Sequence, residues 1–311
     1  MRRRDGETST RCLAVFGFQL KMRRQTRKLS LISVPVVALL TLSSAFQFSS
    51  VAEKLKAEEV VARHLESIGP AKARAAITTR VISGTSQVIF RTPPPGQAIG
   101  RAVLASEGRK TLVGMSFPTP IYPREQLGFN GDTFMAAFAT PGVRSALGNF
   151  LMTHALIFKQ GLMSGTLSSA WPLLDPSVRN SQLEYAGTRK VDDRNLHQLK
   201  YLPRGGSDLK ITLFFDSETF RHVRTEYERV IPASIGDRSY SNVQTREIRY
   251  KMIENFSLFK PESGLNLPHI YTINLTVDTQ SGTFLADWII KLTQFDFNQK
   301  IDQSAFNISA N

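Results

Sequence analysis

The chain has 311 residues, 41% of them hydrophobic and 21% charged, which excludes a disordered tail, a collagen-like fibre and a polytopic membrane protein. The length allows one or two globular domains with enough chain for a sizeable core. The formal net charge of +13 sits mostly at the front: residues 1–45 hold nine Lys/Arg against two acids, and the other 266 residues carry 30 basic and 24 acidic groups, a net of +6 that removes most of the case for a nucleic-acid partner.

Residues 1–45 read as an export signal. Residues 22–28 (MRRQTRK) are a positively charged head, and residues 29–42 (LSLISVPVVALLTL) are an uncharged apolar run. Ser43-Ser44-Ala45 then places small residues where a signal peptidase cuts. The apolar run is shorter than the ~20 residues that span a bilayer. An uncleaved anchor over residues 29–52 is the alternative. Met22 is a cleaner start for this layout than Met1. A cut after Ala45 leaves residues 46–311, read as one domain. The only cysteine, Cys12, lies ahead of the cut, so the mature chain is expected to have no disulfide, thiolate nucleophile or cysteine ligand. Export without disulfides points to a bacterial periplasm.

Residues 51–68 (VAEKLKAEEVVARHLESI) have helical periodicity, with Leu55, Ala62 and Leu65 on one face and Val61 and Ile68 beside it; Gly69-Pro70 stops the helix. The texture then changes to period two. Strands are predicted over 77–90, 98–105 and 111–117, with turns at Pro93-Pro94-Pro95-Gly96 and Glu107-Gly108 and a hairpin signature at Asn130-Gly131. Between 142 and 175 apolar residues recur at helical spacing: Val143, Leu147, Phe150, Leu151, His154, Phe158 and Leu162, nearly all round the helix. A Gly/Ser-rich link, Ser164 to Ser169, and Trp171-Pro172 close this section. Seven more strands follow, over 182–191, 195–202, 208–216, 220–230, 244–260, 269–278 and 284–297. Their connections are short, which forces antiparallel neighbours and an up-and-down meander. A sheet this long must curl or close. The pattern predicts a mainly β (α+β) fold: an incomplete, strongly curved antiparallel β-barrel with helices covering the concave face.

The chain offers little for catalysis. His64, His154, His197, His222 and His269 have no helical metal-ligand spacing, and there is no HExxH, nucleophile elbow, GxGxxG or P-loop. Asp192, Asp193, Asp208 and Asp216 sit at strand ends where turns want them. Two basic-aromatic strands, FRHVRTEYER (220–229) and QTREIRYK (244–251), read as a solvated sheet face with cross-strand pairs such as Glu228 with Arg246, since acids interleave both; a patch for an anionic ligand such as a lipid headgroup is the alternative. No catalytic residue, cofactor or metal is expected. What remains is apolar surface. A curled sheet with an apolar helix in its mouth suits an apolar ligand, with Phe134, Leu147, Phe150, Leu151, Phe158 and Trp171 as its expected lining.

Three stretches resemble the outer-membrane lipoprotein-sorting proteins, the periplasmic lipoprotein carrier and its relatives. They are AEEVVARHLESIG (57–69), GFNGDTF (128–134), and the run EYAGTRKVDDRNLHQLKYLP, DLKITLFFDSETFRHVRTEY and GLNLPHIYTI within 184–273. The resemblance implies a half-open barrel, helical lid elements and a hydrophobic cavity for lipid or lipoprotein acyl chains, serving envelope trafficking, with an inner- or outer-membrane protein as a further partner. The lipid-anchored receptor of that pathway carries a lipobox cysteine, which is absent here. The alternative is a non-enzymatic regulatory or structural envelope protein that binds a protein partner on the same fold.

Overall fold

The computed structural model describes residues 55–92, 94–175, 182–233 and 247–309. The export signal, the alternative anchor, Cys12 and the Gly236-Asp237 turn expected from sequence lie outside these residues, as does Arg246 of the expected Glu228 pair.

Two helices come first, α1 (Ala57–Ile68) and α2 (Ala71–Ala76), separated at Gly69-Pro70. The buried stripe of α1 is Ala57, Val60, Val61, His64 and Ile68, whereas Ala62 is exposed. The expected apolar face is therefore rotated, because a histidine belongs to it. Five strands follow: β1 (Thr79–Phe90), β2 (Gly96–Glu107), β3 (Lys110–Ser116), β4 (Arg124–Phe129) and β5 (Phe134–Ala136). Next come α3 (Ala146–Thr153) and α4 (Leu156–Lys159). Seven strands complete the chain: β6 (Gln182–Val191), β7 (Arg194–Leu202), β8 (Lys210–Asp216), β9 (His222–Ile231), β10 (Ile248–Glu262), β11 (Leu265–Thr279) and β12 (Gly282–Phe297).

All twelve strands form one antiparallel sheet in the order β5-β4-β3-β2-β1-β12-β11-β10-β9-β8-β7-β6. It is curled but not closed, as the length argument requires. The one neighbour pair that is not consecutive in sequence is β1 with β12, with Val88 opposite Trp288. The open edges are guarded. β5 has three residues, and β6 is largely polar with a register shift between Tyr185 and Thr188.

Directly opposed residues share a face. One row runs Val88, Trp288, Ile273, Glu254, Thr225, Leu213 and Leu199 across seven strands, and every member is fully buried. This is the concave face. On the other face, Arg224 pairs with Glu226 (2.7 Å), and Lys251 with Glu226 (3.2 Å) and Glu228 (2.7 Å). The basic strands are thus neutralised by the acids interleaved with them, as the sequence pattern implies.

The expected helix over 143–162 is broken in two. The backbone leaves helical geometry at His154, and Ala155 opens α4. The residues expected to be a Gly/Ser link, 164–169, are almost entirely buried. They form a tight 3-10 turn, Gly165–Leu167, set against the concave face.

Candidate functional site

The concave face is filled by the chain's own residues 154–175. Ile157, Phe158, Leu162, Met163, Leu167, Trp171 and Leu173 supply apolar volume and are all buried. Compact turns bring them in. Gly161 has φ 71°, and a Cβ there would lie 2.0 Å from the Ala170 carbonyl oxygen. Gly165 has φ 49°, and its Cβ would meet His222 Nδ1 at 2.8 Å and the Phe256 ring at 2.9 Å. Neither position tolerates a side chain. The small residues that resemble a linker are small because the sheet lies directly against them.

Four buried polar groups hold this plug: Glu254, Arg80, His64 and Ser106. Glu254, at the centre of the concave row, accepts the Ser164 backbone N–H (2.8 Å) and the hydroxyls of Tyr227 (2.7 Å) and Tyr271 (2.6 Å). Arg80 shares its face with Ile82 and Val88, and its guanidinium donates to the carbonyls of Thr166 and Ser168. His64 of α1 donates from Nδ1 to the Phe220 carbonyl (3.1 Å) and accepts the Trp171 indole N–H at Nε2 (3.1 Å). That requires the neutral Nδ1–H tautomer. Trp171 also stacks on His222 with centroids 4.5 Å apart. Ser106 Oγ accepts the Ser169 N–H (2.9 Å). A separate network fixes α3. Trp288 donates to the Tyr122 hydroxyl (2.9 Å), Tyr122 donates to Glu125, and Ser145 Oγ caps the helix by accepting the Gly148 N–H (2.7 Å). The contact is not fully satisfied: Arg80 Nε, Thr166 Oγ1 and His222 Nδ1 are buried without hydrogen bonds.

The expected lining residues are all buried. Phe134 stacks on Phe158 (4.4 Å), Leu147 and Leu151 face inward from α3, and Trp171 is held by His64. Phe150 borders a cleft of about 210 Å³ between α3 and the upper end of the concave face. Its floor is a register row of Arg229, Tyr250 and Val277, and its wall is Ala146, Asn149, Phe150, Thr153 and His154. Sequence reading missed Arg80, Glu254 and Glu125. Parity along the strands would have found the first two, since Arg80 alternates with Ile82 and Glu254 with Met252 and Phe256.

Burial pushes Glu254 and Glu125 up to about 7 from the ordinary 4.5, outweighing the hydrogen bonds each accepts. Burial pushes His64 down to about 4 from 6.5. The two kinds of group act oppositely on stability. A carboxyl with a raised folded value is fully stabilising below 4.5 and loses its contribution as pH rises to 7. A histidine with a lowered folded value loses its contribution as pH falls from 6.5 to 4. Glu254→Gln removes one of the alkaline-side losses. Relative to the parent chain it is expected to gain about 2 to 3 kcal/mol between pH 5 and pH 8. Urea midpoints at the two pH values measure this, and equal gaps at both would contradict it.

Among the described residues no three His, Cys, Asp or Glu converge as a metal site, and no helix is long and apolar enough to cross a membrane. No family model and no curated protein matches the chain. It is similar in structure to the LolA superfamily protein from Nitrosomonas europaea (TM-score 0.42, 11% identity, covering 80% of this chain and 97% of that one). A DUF1329 family protein from Desulfovibrio piger is similar to the same degree (0.42, 12%, 80% and 96%). So is a domain from Vibrio parahaemolyticus described as outer membrane lipoprotein-sorting (0.38, 13%, 79% and 97%).

Proposed function

We propose that the chain is an exported, non-enzymatic binding protein that takes a lipid or lipoprotein acyl chain onto the concave face now occupied by residues 154–175. In this reading residues 1–45 direct export to a periplasm and residues 46–311 are the carrier domain. The observation that carries it is the character of the plug contact. Much of the wall behind the plug is apolar, with Leu199, Leu213, Phe256, Ile273 and Trp288 around the Arg80 and Glu254 anchors. The plug itself is short turns held at a few polar points, and buried polar atoms on both sides of the contact go unpaired. Each such atom costs about 1–3 kcal/mol, which weakens the hold on the plug. Displacing it exposes a greasy trough that an acyl chain would refill. Phe150 stands at the entrance, with Phe134, Leu147, Leu151, Phe158 and Trp171 along the path.

A disulfide staple tests this. Ser106 Oγ is 2.9 Å from the Ser169 nitrogen, so the two positions adjoin across the contact, and loss of free thiol on oxidation shows that cysteines placed there have bonded. In a Cys12→Ser background, the oxidised Ser106→Cys/Ser169→Cys chain should fail to take up a fluorescent long-chain fatty acid, and reduction should restore uptake. Equal uptake in both states would show that the plug does not move. No uptake in either state, nor by the parent chain, would turn the reading to partner binding.

A further inference from the structure

The 210 Å³ cleft beside α3 is smaller than the ~300 Å³ at which ligand sites for whole small molecules begin. It has room for a headgroup and the first methylenes of one chain, not for a two-chain lipid. Its chemistry is divided. Phe150, Tyr250, Val277 and Ala146 form an apolar side, and Arg229, His154, Asn149 and Thr153 a polar one. Arg229 is the inward residue of β9 two positions after Tyr227, so its cation lies on the concave face and not with the neutralised charges outside. Its guanidinium Nε is held by Asp208 at 2.6 Å, at the mouth. That carboxylate is more than half exposed, and such pairs contribute little. An anion arriving along the apolar side meets a cation already shaped around a carboxylate, whose present partner is easily displaced.

We propose that this cleft is the headgroup site for a single-chain fatty carboxylate, with Arg229 receiving the carboxylate in place of Asp208 and the first methylenes lying over Phe150 and Tyr250. The inference rests on the carrier reading only for where the rest of a long chain goes. A short chain needs no movement of the plug.

Octanoate is therefore the probe, with octylammonium as its charge-reversed control, titrated calorimetrically into the full chain. Octanoate should bind saturably and octylammonium should not. Arg229→Gln should weaken octanoate at least about tenfold, the loss of one charge-assisted hydrogen bond. Asp208→Asn should tighten it, because the competing carboxylate is gone. Arg229 and Asp208 are both at the mouth, and unchanged melting of the two variants separates binding from folding. Octanoate binding that ignores Arg229→Gln, or that weakens in Asp208→Asn, would overturn the headgroup site. The two proposals fail separately. Arg229-dependent octanoate binding without long-chain uptake keeps this site and discards the carrier. Long-chain uptake indifferent to Arg229 keeps the carrier and discards this site.

Discussion

Trp171→Ala is expected to detach residues 154–175 from the sheet while the sheet stays folded. The indole is 1% exposed, is stacked on His222 and donates to His64. Truncating a buried tryptophan costs about 3–5 kcal/mol, and the abandoned imidazole acceptor about 1–3 more. That total approaches the 5–15 kcal/mol that holds an ordinary domain together. The loss falls on a segment tied to the sheet by side-chain burial and a few hydrogen bonds and not by strand pairing, so it should appear locally. Amides of residues 157–174 should exchange orders of magnitude faster, with little change in β10, β11 and β12. Trp288→Ala is the contrast. It removes the same side chain from the sheet itself and deprives Tyr122 of its indole donor, so it should accelerate exchange everywhere. If Trp171→Ala also releases every amide together, plug and sheet are one cooperative unit and cannot part for a ligand.

Arg80→Leu should raise affinity for a long-chain fatty acid. The guanidinium is buried on the concave face and its hydrogen bonds go to the plug's own carbonyls, those of Thr166 and Ser168. Burial already pushes its value down to about 10, so the cation is held at a cost. Leucine fills the space but leaves the Thr166 carbonyl without its donor, while the Ser168 carbonyl keeps the Trp171 N–H, so the closed state weakens by about 1–3 kcal/mol. Every 1.4 kcal/mol removed from the closed state multiplies the open fraction about tenfold, so apparent affinity should rise roughly ten- to hundredfold. Arg80→Lys, with one donor centre instead of a fork, should fall between. A drop in affinity would place Arg80 on the ligand instead of the plug. Equilibrium titration of a fluorescent fatty acid reads all three chains.

The class of the fold was legible along the chain because alternation is a local property. β6 to β12 can each be read from their own residues and, apart from the longer connection between β9 and β10, are joined by their own short turns, and the curl follows from the length of the sheet. The pairing of β1 with β12 was not legible, since its partners Val88 and Trp288 are two hundred residues apart. The plug was misread for a related reason. Gly161, Ser164, Gly165, Thr166 and Ser168 have the composition of a linker, and the turn hydrogen bonds among neighbours do not satisfy all of the segment's polar groups. Glu254, Arg80 and Ser106 supply further partners from three different strands. The same holds for His64, whose place inside α1 makes sense only once Trp171 and Phe220 are beside it. By itself, then, the sequence determined a curled antiparallel sheet with an apolar segment to cover it, because period and turn chemistry act within a few residues. Only the tertiary structure decided that this segment sits inside the curl on buried charged and polar anchors, because a buried polar group declares its purpose only when its distant partner is in place.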